Sequence, residues 1–203
     1  MSIMKVLLLG EFSALHKNLA EGLSHLGIDV TTASSGDGTK AISSDLSWAG
    51  KRVGKAGKIE RLFNLSKVYK EFKGYDVVQL ISPCIFPKEL GINKRIMKYV
   101  INNNKKIYLV GAGGSTVNTI LANFFRNSYK YPQLYQEIVK KTGDKWCFSP
   151  TGRRFNKYLH DSITGYIPIM YEYAEPYREL RIQSYVKLFL FQLILILLNM
   201  SQI

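Results

Sequence analysis

Cysteine is scarce: two residues in 203 exclude a disulfide framework. Cys84 and Cys147 stand in apolar or aromatic surroundings without metal-ligand spacing, and read as two reduced, buried thiols of a cytosolic protein. Acidic residues are also few, with 15 Asp and Glu against 28 Lys and Arg, a net charge of +13. Such a balance attracts something anionic: a membrane surface, a nucleic acid or a phosphorylated ligand. No apolar run reaches the roughly 18 residues of a membrane span. The longest, Leu188 to Leu198, is interrupted by Gln192. A signal peptide is not expected, because Lys5 is a weak basic region and the first apolar run ends in a loop. With no repeat and no low-complexity linker, the length suits one well-buried domain.

Catalytic signatures are missing too. There is no H-E-x-x-H, no Cys/His cluster, no G-x-S-x-G elbow and no pair of carboxylates at a clear site, so no metal or resident cofactor is expected. His160 and Asp161 are adjacent, but neighbours on a helix point apart. Gly10 lacks the second and third glycines of G-x-G-x-x-G, and Gly-Lys-Ser/Thr of a phosphate loop is absent.

What is present is an alternation of strand and helix patterns. Lys5 to Leu9 is a continuous apolar run after its first residue, as in a strand buried on both faces. Gly10 breaks it, and Ser13 reads as the N-cap of a helix with Leu15, Leu19, Leu23 and Leu26 at helical spacing. Gly27 suits a left-handed C-cap, and Val30 begins a second strand. The pattern then predicts a helix over 59–72, a strand over 76–82, a helix over 92–102 and a strand over 106–110. Helices are predicted over 116–127 and 133–141, a short strand over 146–150, a helix over 153–161, a strand over 164–170 and a last helix from Glu172. The fold class that follows is α/β: a doubly wound, mostly parallel sheet with helices on both faces.

Two glycine-bearing loops follow strands. Ligands of such sheets bind at the carboxyl ends of the strands, so Gly10, Glu11, Phe12, Ser13 and His16, with Gly111, Gly113, Gly114 and Ser115, are the candidate cleft residues. The first loop could cradle a phosphate or sugar hydroxyls at a helix N-terminus. His16 could bind a sugar or act as a base, or be an idle histidine, and the glycines could serve close packing alone. A third feature is the basic set Lys51, Arg52, Lys55, Lys58, Arg61, Lys67, Lys70 and Lys73, with Ile59, Leu62, Phe63, Tyr69 and Phe72 at helical spacing between them. It describes a helix lying on an anionic bilayer, or a sheet-covering helix with a solvated basic face. With no recognised nucleic-acid motif, nucleic acid is not an expected partner.

Several segments together resemble the N-terminal half of bacterial GT-B glycosyltransferases of the family-4-like retaining type. They are Lys5 to Leu23, Gly27-Ile-Asp-Val30, Ser35-Gly-Asp-Gly38, Tyr75 to Ser82 and Tyr171 to Tyr177. The resemblance implies a Rossmann-like domain over 1–180. Gly10 to Ser13 would border the inter-domain cleft, and Gly111 to Ser115 would lie on its acceptor side. It also implies transfer of a sugar from a nucleotide-sugar donor to a cell-surface glycan or lipid-linked acceptor. The place would be the cytoplasm, peripherally at the inner face of the plasma membrane. A histidine frequent in the second loop of such enzymes is absent here, so no catalytic residue is assigned. The resemblance ends near Leu180, where a donor-binding second domain would begin, and residues 181–203 read as an atypical apolar tail from a truncation or frameshift. The expectation is a chain inactive by itself. The competing expectation is a single-domain nucleotide-binding or receiver-like regulatory module. Its receiver form lacks support in Gly10-Glu11 and Ser82-Pro83, where acidic residues are required.

Overall fold

The computed structural model describes residues 3–112, 149–170 and 173–174. Six strands form one sheet: β1 (Lys5–Leu9), β2 (Asp29–Ser34), β3 (Leu46–Ser47), β4 (Val77–Leu80), β5 (Lys106–Gly111) and β6 (Gly165–Pro168). Their order is β3-β2-β1-β4-β5-β6, and every neighbouring pair is parallel. That is the order of a Rossmann-like fold, with its reversal point between β1 and β4.

Burial on both faces explains the apolar runs. Val6, Leu7, Leu8 and Leu9 are all fully buried, alternating between two cores. On one face α1 (Leu15–His25) sets Leu19 and Leu23 against Val6, Leu8 and Val77. Burying each such leucine contributes about 1.5–3 kcal/mol. On the other face lie α2 (Gly54–Val68), α3 (Ile92–Asn102) and α4 (Pro150–Ser162), which contribute Leu65, Met97, Val100, Phe155 and Leu159 to the larger core. Trp48, Phe72 and Phe86 cluster within it at centroid separations of 5.4–5.9 Å.

Several sequence expectations need correction. Ser13 is not a capping side chain: it and Ala14 both have positive φ, and no side chain of the N-cap residue bonds to α1. The helix expected from Ile59 begins at Gly54 and ends in a 3-10 turn, Tyr69–Glu71. Pro150, expected to end a strand, opens α4, with Ser149 Oγ accepting from Gly152 N at 3.0 Å as its cap. Cys84 is half-buried rather than buried. Gly27 does take the left-handed conformation, φ 77°. The expectations for Gly113, Gly114, Ser115, Cys147, the helices over 116–127 and 133–141, the helix from Glu172 and the tail 181–203 lie outside the described residues.

Candidate functional site

The strand order places the loops after β1 and β4 side by side at the carboxyl edge. There they enclose a cleft of about 380 Å³. Its walls come from four segments: Gly10, Glu11 and Phe12 after β1; Ser35, Asp37 and Gly38 after β2; Ile81, Ser82, Cys84 and Ile85 after β4; and Ala112 after β5, with Trp48 at the base.

The first wall is held from beneath by His16. Its Nδ1 lies 2.7 Å from the Gly10 carbonyl, and its Nε2 lies 3.1 Å from Gln79 Nε2 on β4. These bonds assign a neutral ring, with Nδ1–H donating to Gly10 and Nε2 accepting from the Gln79 amide. Burial pushes the imidazole down to about 4, against the opposing pull of the Gly10 carbonyl. His16 therefore does not face the cleft; it fixes the loop that does.

Glu11 takes the place a ligand's anion would occupy. Its Oε1 accepts from Phe12 N at 2.7 Å and His16 N at 3.2 Å, and its Oε2 accepts from Lys17 N at 2.9 Å. The amides at the start of α1 are thus satisfied by the chain's own carboxylate, which also complements the helix dipole. Ser13 is drawn towards the β2–β3 connection: its N donates to Asp37 Oδ2 at 2.8 Å, and its hydroxyl accepts from Lys40 Nζ at 2.7 Å. The Ser13 amide, and then Lys40, hold the Asp37 carboxyl below its ordinary range. Lys40 also lies 5.6 Å from the centre of the Phe12 ring.

The opposite wall is fixed by Asn93, which is buried. Its Oδ1 accepts from Phe86 N at 3.0 Å, its Nδ2 donates to the Pro83 carbonyl at 3.1 Å, and its own N donates to the Pro87 carbonyl at 2.9 Å.

The glycines have packing reasons. Gly10 has φ 86°, and a Cβ there would collide with Ile81; a Cβ on Gly111 would collide with the Tyr166 ring. Gly111 closes β5 at the same edge as Gly10 but does not line the cleft.

The basic residues divide. Lys51 and Arg52 precede α2 and are exposed, as is Lys55. Lys58 and Arg61 line a second cavity of about 330 Å³, together with Trp48, Leu62, Phe86 and Pro87. Opposite the buried side of α2, Lys55, Ile59, Phe63 and Lys67 fall four residues apart and form one outward stripe. Ile59 and Phe63 are 68% and 60% exposed, and Lys67 Nζ lies 4.2 Å from the Phe63 ring centre.

Among the described residues no cluster of three or more His, Cys, Asp or Glu could hold a metal ion, and no helix is long and apolar enough to cross a membrane. The residues after β2 and β4 were not singled out as site residues in the sequence, although Ser35-Gly-Asp-Gly38 and Tyr75 to Ser82 carry the resemblance described above. Comparison with protein-family models, with curated proteins and with solved structures gives no match.

Proposed function

We propose that this chain is the acceptor-side domain of a GT-B type glycosyltransferase, and that it binds a glycan or the glycan part of a lipid-linked acceptor in the β1/β4 cleft. The chemistry of the cleft supports this reading. Glu11, Asp37, Ser35 and Ser82 line it, and their oxygens keep acceptor capacity beyond the backbone bonds that Glu11, Asp37 and Ser82 already make. Sugar hydroxyls are donors that such groups accept. A phosphate would instead meet two carboxylates, and the helix amides that bind pyrophosphate in dinucleotide folds are already occupied by Glu11. That weighs against the nucleotide-binding alternative. The receiver-like alternative is weakened by the loops after β1 and β4, where Gly10-Glu11 and Ser82-Pro83 stand in place of the acidic residues that class requires.

The donor is bound by a second domain in enzymes of this type, so binding rather than turnover is the readout for this chain alone. Titration with millimolar methyl glycosides, followed by amide chemical shifts, should perturb Glu11, Asp37 and Ser82. Shifts from nucleotides at these residues with none from sugars would reverse the reading in favour of the nucleotide-binding module.

The stripe on α2 supports a second element of the reading, an anionic bilayer as partner. Ile59 and Phe63 stand exposed between lysines, an arrangement suited to a helix lying on such a surface.

A further inference from the structure

The cavity between α2 and the loop after β4 shares Ser35, Trp48 and Ile85 with the β1/β4 cleft, so the two spaces adjoin around one indole. The cleft is lined by Glu11 and Asp37, whereas Leu62, Ile85, Phe86 and Pro87 bring carbon to the second space. Trp48 and Phe86 belong to the buried core cluster; Leu62, Ile85 and Pro87 are half-buried and keep apolar surface open to the cavity. Lys58 and Arg61 also line it. The Arg61 side chain lies against Gly50 and Gly57 beside Glu60. Such side chains bring an aliphatic stem to an apolar wall while the charged head stays in water. Leu62 comes three residues after Ile59, so the space lies on the flank of α2 next to the exposed stripe. At about 330 Å³ it has room for a hydrocarbon chain of several carbons.

We propose that this second space takes the hydrocarbon chain of an amphiphilic glycoside whose sugar sits beside Glu11 and Asp37. The occupant is the first carbons of a lipid-linked acceptor, reaching the cleft along the flank of α2 from the bilayer that the stripe would touch. The inference rests on the acceptor reading above and narrows its ligand from glycans in general to lipid-linked ones. Each methylene taken out of water there should tighten binding by up to about fourfold.

The test is calorimetric titration of the full chain with hexanol and with methyl, butyl and hexyl glucosides below their micelle concentrations. It is run on the wild type, on Leu62→Asn, and on Leu26→Asn, which removes an exposed leucine at the end of α1. Wild-type affinity should rise with chain length, hexyl glucoside binding about tenfold or more tighter than methyl glucoside. That gain should fall below about threefold in Leu62→Asn and stay within about twofold of wild type in Leu26→Asn. Binding of methyl glucoside should be equal in all three chains. In the wild type, amide shifts at Leu62 and Phe86 should move with hexyl glucoside and not with methyl glucoside. Equal affinity for methyl and hexyl glucosides, a gain lost equally in both variants, or unmoved shifts at Leu62 and Phe86 would overturn the subsite. Methyl glucoside binding at Glu11 would then still uphold the acceptor reading. Hexanol binding that needs Leu62, with no glucoside bound by any chain, would keep a hydrocarbon site and overturn the acceptor reading.

Discussion

The His16 ring joins the carbonyl of Gly10, 2.7 Å from Nδ1, to the amide of Gln79 on the neighbouring strand. One buried side chain thus ties both sides of the sheet's reversal point. Replacing it with alanine leaves the Gly10 carbonyl and the Gln79 amide without this partner. His16→Ala should cost about 2–4 kcal/mol in urea unfolding. A cost under about 0.5 kcal/mol would mean that the bonds are not structural.

The same ring makes stability acid-sensitive. His16 and His160 are both lowered by burial to about 4 from an ordinary 6.5. Below pH 6.5 the unfolded chain takes up protons that the folded chain refuses, so stability is full above pH 6.5 and falls steadily towards pH 4. Each histidine contributes on the order of 3 kcal/mol to that fall. Urea midpoints measured from pH 7.5 to 4.5 should show it, and His16→Ala should roughly halve the slope. A flat wild-type profile refutes it.

Glu11→Ala should uncover the amides of α1. The variant should lose about 1 kcal/mol of stability and gain affinity for inorganic phosphate, seen as a larger thermal shift in phosphate buffer than wild type shows. An equal shift in both proteins would show that Glu11 does not occupy an anion site.

Asn93 holds residues 83–87 through three hydrogen bonds. Asn93→Ala should cost about 2–3 kcal/mol and speed hydrogen exchange at Phe86. In a Cys147→Ser background it should also speed alkylation of Cys84. Unchanged exchange and alkylation would place the rigidity of this wall elsewhere.

The α2 stripe should bind vesicles containing phosphatidylserine in a salt-sensitive way, since each basic group near such a surface contributes about 1 kcal/mol. Ile59→Ser/Phe63→Ser should weaken that binding without unfolding the chain, because both side chains are exposed. Equal binding to neutral and anionic vesicles would remove the membrane partner.

Long buried strands and leucine-spaced helices were legible in the sequence because period and burial coincide in β1, α1, β4, α3 and β5. β3 was not, since two residues at a sheet edge carry no pattern. The start of α2 was not legible because the stretch from Gly54 to Lys58 carries no large apolar residue to set a helical spacing. The Ser13 rule failed because a positive φ turns its hydroxyl to Lys40, while Glu11 caps from further back. Half of the cleft was legible, namely the loop after β1. The walls from β2 and β4 come from segments tens of residues away, and only the strand order brings Asp37 and Ser82 to Glu11.

β1 lies between β2 and β4, yet more than 40 residues separate those two partners in the chain. At about 5–20 residues per second of synthesis, β1 waits several seconds with one edge of backbone N–H and C=O groups unpaired and its apolar faces uncovered on that side. That interval is a demand on the cell's holding chaperones, made before any ligand matters. Ribosome-bound chains halted at Ser47 should recruit them, and chains extended well past Leu80 should recruit them less.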